Sequence, residues 1–151
     1  MRKPRWSHGR VRPSVAGMTA QQQTNRELVQ RVFARMAAGD TRALTEAMAD
    51  DVAWTFPGDW SWSGTWSPKT VVLRELLRPL LAQFTDYRMT ADLVLADGDR
   101  VVVQARGHGT TVRGDAYEQT YCLILRLADG LITEIVEHCD TALVERTLVR
   151  P

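Results

Sequence analysis

"YEQTYCLILRLADGLITEIVEHCD", residues Tyr117 to Asp140, decides the fold. Two runs of alternating, β-branched and aromatic residues flank Asp129-Gly130, a dipeptide that favours a two-residue hairpin turn. A tight turn there sets Ala128 opposite Leu131, Leu123 opposite Val136, Tyr121 opposite His138 and Gln119 opposite Asp140. Directly opposed residues share a side of the sheet. One face then carries Tyr117, Gln119, Tyr121, Leu123, Leu125, Val136, His138 and Asp140. The other carries Thr120, Cys122, Ile124, Ile135, Glu137 and Cys139. A one-residue bulge would exchange these faces.

Upstream, the period of two continues. "YRMTADLVLA" (87–96) and "RVVVQARGHGTT" (100–111) read as strands separated by "DGD". A short helix, "TALVERTL", follows the last strand. Val101, Val103 and Ala105 form the apolar face of the second of these strands, which turns Gln104, Arg106 and His108 the other way. A tight turn at Arg113-Gly114 would bring His108 beside Gln119, and a bulged one would leave it in solvent.

The first half is helical. Leu28, Val29, Val32, Phe33 and Met36 recur at three- and four-residue spacing, with Thr24 and Glu27 as a capping box and Gly39 as the stop. A second short helix buries Leu44, Ala47 and Met48. "DDVAWTF" reads as a strand with Val52, Trp54 and Phe56 on one side. "FPGDWSWSGTW" (56–66) is expected to be a loop, with Trp60, Trp62 and Trp66 roofing a pocket or packing on the protein itself. Ser67-Pro68 opens a third helix, which Pro79 should kink or split.

This order gives an α+β domain: three N-terminal helices packed on a curved, cone-shaped antiparallel sheet, its mouth a natural ligand site. The 151 residues are enough for one such domain. The first 17 carry Arg2, Lys3, Arg5, Arg10 and Arg12 and no acid, so the net charge of +1 leaves the remainder at −4. That balance argues against nucleic acid as a partner. No run is long and apolar enough to span a membrane, and no apolar core follows the N-terminal charges as a signal peptide requires. Residues 1–20 are read as a disordered basic extension and 21–151 as the folded domain. A start at Met18 or a binding arm are the other readings of the head. Cys122 and Cys139 have neither metal nor redox spacing and are read as small buried residues of a cytoplasmic protein. Scattered histidines and the lack of a phosphate loop lead to the expectation of no metal and no cofactor.

His138 and Asp140, two apart on one strand, are a candidate acid–base pair, because a carboxylate beside a histidine makes it a better base. Tyr121 is the candidate donor to a carbonyl or enolate oxygen. Trp54, Phe56, Trp60, Trp62, Trp66, Tyr117, Gln119 and Leu123 are the candidate ligand-binding residues. The plain alternatives are a cross-strand His138–Tyr121 pair, Asp140 as a helix cap, and tryptophans that serve packing alone.

"AAGDTRALTEAMADDVAWTFPG", "SGTW" and the 117–148 segment resemble the SnoaL-like, ketosteroid isomerase-like branch of the nuclear transport factor 2-like superfamily. The resemblance runs from about Thr24 to Leu148 and implies the cone fold, a homodimer formed through the sheet, and a small apolar or aromatic ligand. Where ketosteroid isomerases hold their aspartate base this chain has Phe56. Where they hold the oxyanion tyrosine it has Val32 or Phe33, and their second acid falls near Gln119. The resemblance therefore implies a polyketide cyclase- or isomerase-type acid–base enzyme acting on a partly apolar carbonyl compound through His138 or Asp140. The alternatives are a ligand-binding or dimerisation module without chemistry, and an epoxide hydrolase-like enzyme using Arg106 and Asp140.

Overall fold

The computed structural model describes residues 17–151. The expectation for the basic head lies almost wholly outside them. Helix α1 (Ala20–Ala37) starts earlier than Thr24: Thr19 is its N-cap, accepting from the Gln22 amide while the Gln22 side chain accepts from the Thr19 amide. The capping box is real but built one turn upstream. Gly39, at φ +93°, follows as the C-terminal stop. Helix α2 (Ala43–Glu46) buries Ala43 and Leu44.

The third helix is divided, as Pro79 requires. It begins as α3 (Lys69–Val71), widens to a π-helical stretch (Val72–Leu77) and ends as α4 (Arg78–Leu81). Proline lacks an amide hydrogen and its ring crowds the carbonyl four residues back, so the backbone bonds around it are redistributed. The Arg78 amide reaches the Leu73 carbonyl, five residues back.

Six strands form one sheet in the order β2-β1-β6-β5-β4-β3. They are β1 (Met48–Phe56), β2 (Gly64–Trp66), β3 (Phe84–Asp97), β4 (Arg100–Thr111), β5 (Ala116–Ala128) and β6 (Leu131–Cys139). The four long strands are the antiparallel run expected. The sheet as a whole is mixed, because β1 runs parallel to β6. No hairpin links these two, so no turn dictates their relative direction. Helix α1 lies against β3, and one core joins α1, the divided third helix and the inner face of the sheet. Helix α5 (Thr141–Thr147) closes the chain.

Asp129 and Gly130 both have positive φ, 53° and 75°, as the tight turn demands. Ala128 faces Leu131 and Leu127 faces Ile132. Then Thr133 is skipped, and Arg126 faces Glu134. Beyond this bulge every partnership moves by one: Leu123 faces Glu137, Cys122 faces His138 and Tyr121 faces Cys139. The face expected for β5 holds, whereas β6 turns over. Glu137 points into the cone and His138 points out.

Candidate active site in the cone

Size falls steadily along the inner face of β4, through Val101, Val103, Ala105, Gly107 and Gly109. The neighbouring strands fill the space with tyrosine: Tyr87 and Tyr117 stand opposite Gly109, and Tyr121 stands opposite Ala105. The cone therefore has an apolar end and a hydroxyl-rich end. The Tyr87 and Tyr121 hydroxyls are 2.8 Å apart in a hydrogen bond. Burial pushes both phenols well above their usual range and Tyr117 up to about 12, so all three are neutral donors across physiological pH.

Among the described residues Glu137 is the buried carboxyl, only 8% exposed. One of its oxygens accepts from the indole N–H of Trp54 at 3.1 Å. Desolvation raises its pKa from 4.5 to about 8, and the Trp54 bond draws it partly back down. A carboxyl group that titrates near neutrality, next to neutral phenols, is suited to moving protons.

An enclosed chamber of about 60 Å³ lies between the helices and the sheet, walled by Met36, Leu44, Trp54, Leu77, Met89 and Leu123 among others. A wider groove of about 450 Å³ opens beside it to solvent. Thr41, Leu81 and Tyr87 line both spaces and so form the partition between them.

The structure distributes the sequence-predicted site residues unevenly. Tyr117, Gln119, Tyr121, Leu123, Trp54 and Phe56 are gathered on the buried side. Gln119 is fully engaged. Its amide donates to the Tyr117 hydroxyl and the Asp140 carbonyl, while its oxygen accepts from the Thr120 and Asp140 amides. It ties β5 to the end of β6. Asp140 caps α5, accepting from the Leu143 amide at 3.1 Å, and lines an open groove of about 540 Å³ together with Gln104, Cys122 and His138. His138 is exposed opposite Cys122 on the outer face, and Tyr121 pairs with Cys139 instead. Cys122 is exposed too, against the expectation of burial, and Cys139 is half-buried.

Trp60, Trp62 and Trp66 leave the chamber's wall to Trp54. Phe56 meets each of them edge-on, at 5.9, 6.5 and 5.4 Å between ring centres. Trp60 and Trp62 stack with their planes 6° apart. The segment is not wholly a loop, since β2 pairs Trp66 with Trp54. Ser61 bonds Glu145 of α5 through both its amide and its hydroxyl. So much aromatic surface builds a self-packed plug held to the last helix.

Arg106 and His108 lie on the outer face. Arg106 grips Asp92 with two bonds of 2.8 and 2.7 Å, and His108 pairs with Glu118. Sequence reasoning missed Glu137 because a bulge-free strand sends it outward. The available signal was Ile132 followed by Ile135, a step of three in a strand of period two.

The model of the SnoaL-like domain matches residues 29–135. The chain belongs to the SnoaL-like domain family. An uncharacterized protein of Mycobacterium tuberculosis is 28% identical over 120 residues, 79% of this chain and 92% of the relative. A nuclear transport factor 2-like protein of unknown function from Burkholderia pseudomallei superposes with a TM-score of 0.70 at 23% identity, covering 83% and 98% of the two chains. A putative SnoaL-like polyketide cyclase from Jannaschia gives 0.69 at 21% identity, covering 89% and 98%. TerC, crystallized with polyporic acid, gives 0.68 at 23%, covering 82% and 97%. These likenesses establish the nuclear transport factor 2-like cone. Among the described residues, no helix is long and apolar enough to cross a membrane, and no three His, Cys, Asp or Glu side chains cluster as metal ligands.

Proposed function

We propose that the SnoaL-like cone is an acid–base site for a partly apolar carbonyl compound, with Glu137 as the group that moves the proton. The observation that carries this reading is a buried carboxyl whose pKa is raised to about 8, in a cone that also holds the Tyr87–Tyr121 hydroxyl pair. In its ionised form Glu137 takes a proton from the carbon next to the carbonyl. The carbonyl oxygen gains negative charge as the enolate forms, and a tyrosine hydroxyl stabilises it by donating a hydrogen bond. Glu137 then returns the proton to a different carbon, giving an isomer. Alternatively, the enolate carbon attacks a second carbonyl of the same molecule and that oxygen takes the proton, closing a ring. His138 and Asp140 have no part in this scheme, because His138 lies on the outer face and the Asp140 carboxylate is engaged in capping α5.

The resemblance to the putative polyketide cyclase from Jannaschia and to TerC, co-crystallized with polyporic acid, is compatible with such a substrate class. The test is exchange of α-hydrogens of small ketones and 1,3-diketones for deuterium, followed by proton NMR. Exchange by the unaltered protein and by His138→Ala, with loss in Glu137→Gln, is the expected result. Equal exchange with and without protein sinks the reading.

One observation favours the non-catalytic alternative. A chamber of about 60 Å³ is far below the roughly 300–1,000 Å³ of pockets that hold drug-sized ligands. A larger substrate enters only if the partition of Thr41, Leu81 and Tyr87 moves.

We also propose a homodimer. Leu95, Val102, Ile124 and Val136 are directly opposed neighbours on β3, β4, β5 and β6, forming one aliphatic row across the outer face. A second copy of the same face would cover it.

A further inference from the structure

Glycine in the middle of a strand is costly in conformational entropy and contributes no packing, so its presence calls for a spatial reason. Gly107 lies in the interior of β4, paired with Met89 on one side and Gln119 on the other. Unlike the turn glycines 39, 98, 114 and 130, it has no positive φ. Backbone conformation therefore does not demand glycine there.

Space does. A Cβ at Gly107 would come within 2.6 Å of the Tyr87 hydroxyl and 2.8 Å of the Tyr121 ring. Tyr87 springs from the strand on one side, opposite Gly109, and Tyr121 from the strand on the other, opposite Ala105. The two side chains lean along the sheet from these diagonal positions and meet over the residue between. Phe84 supports Tyr87 and also Tyr117, with 5.1 Å between ring centres in each case. A Cβ at Gly109 would strike the Asp86 carbonyl at 2.8 Å, so that glycine serves the backbone of β3, and Gly107 serves the hydroxyl pair.

We propose that Gly107 is a positioning residue of this site: its bare Cα is the seat on which the Tyr87 and Tyr121 hydroxyls meet, and a side chain there parts them. The catalytic half of this statement rests on the acid–base reading above. The geometric half does not. The descending series Val, Val, Ala, Gly, Gly along β4 is then the sequence device that gives the cone its hydroxyl-lined end.

The chain has three tyrosines, Tyr87, Tyr117 and Tyr121, all in this cluster, so near-ultraviolet phenolate absorbance reports on the cluster alone. Gly107→Ala is expected to stay folded by circular dichroism while phenolate forms about one pH unit or more lower, as the pair opens to water. In the deuterium-exchange assay its kcat should fall about tenfold with KM little changed, because the interaction lost is with the developing enolate. An unchanged phenolate titration overturns the proposal. If Gly107→Ala does not fold, the same change is made with Tyr87→Phe and Tyr121→Leu, which remove both nearest atoms. Folding there supports the seat, and failure there means a backbone requirement and overturns it. If the unaltered protein exchanges and Gly107→Ala matches it, the positioning role alone fails. If the unaltered protein shows no exchange, the acid–base reading fails and takes the positioning role with it, whatever the titration does.

Discussion

Trp54 on the first strand donates its indole N–H to Glu137 on the last, at 3.1 Å, across 83 residues of sequence. The bond stabilises the ionised carboxylate and so opposes the desolvation that raises its pKa. Trp54→Phe removes the donor and keeps an aromatic ring. Glu137 should then titrate still further upward, and the pH profile of deuterium exchange should move to higher pH. Stability should fall by about 1–3 kcal/mol, the usual cost of leaving a buried polar group without its partner. Exchange rates and denaturant titrations across pH give both numbers.

Glu137 should also mark the pH dependence of stability. Its pKa is about 8 in the folded protein, against an ordinary 4.5. The folded state therefore binds the proton more tightly than the unfolded state. The resulting stability is fully present below about pH 4.5, declines as pH rises and is lost once pH passes about 8. At about 1.4 kcal/mol per pH unit the loss amounts to a few kcal/mol. Glu137→Gln, neutral at every pH, should flatten this slope. Melting temperatures of both proteins between pH 5 and about 9 make the comparison; parallel curves would refute the assignment.

Local chemistry was legible in the chain and long-range pairing was not. Asp129-Gly130, Gly39 and Pro79 each act through their own backbone, so the hairpin turn, the helix stop and the split third helix could be read directly. The inner face of β5 was legible because Tyr117, Gln119, Tyr121, Leu123 and Leu125 alternate without interruption. The bulge at Thr133 is a tertiary choice. It lets Ile132 and Ile135 both enter the core, and the Thr133 hydroxyl donates to the Arg126 carbonyl beside it. That one residue turns Glu137 inward and His138 outward, and so makes Glu137 the proposed acid–base group. The parallel β1–β6 pair was hidden for a similar reason, since it joins segments that no turn connects.

Gln119 should act as a structural tie and not as a ligand contact. Its side chain takes part in four hydrogen bonds, two of them to the backbone of Asp140. Gln119→Leu keeps the volume and breaks them all. We expect about 2–4 kcal/mol of destabilisation from buried backbone groups left unpaired. Amide hydrogen exchange should quicken at Thr120 and Asp140 more than in the middle of β4. Uniformly faster exchange would mean a general packing role.

The tryptophan plug gives a contrast between stability and binding. Trp62 is 3% exposed and stacks on Trp60, which is itself only half-buried. Trp62→Ala should cost about 3–5 kcal/mol, in the range for buried aromatic truncations, and Trp60→Ala less. Because neither ring walls the chamber, ligand affinity in whatever fraction stays folded should be unchanged. A large loss of affinity with intact stability would place these rings in the binding site instead.

The aliphatic row on the outer face makes the last prediction. Ile124 sits in its centre, with Val102 on one side and Val136 on the other, while Leu95 at the edge is 54% exposed. Arg100, Arg126 and Glu134 border one flank of the row, and Gln104, Cys122 and His138 the other. An apolar centre within a polar rim is the layout of a protein interface, and a stable one buries roughly 1,200–2,000 Å². Ile124→Lys places a charge where two copies would meet and leaves the inner face untouched. Sedimentation should find the unaltered protein dimeric at micromolar concentration and Ile124→Lys monomeric, with the cone's phenolate titration preserved in both. A monomeric parent protein would show that the row is simply solvated, and the cone would then have to work as a single chain.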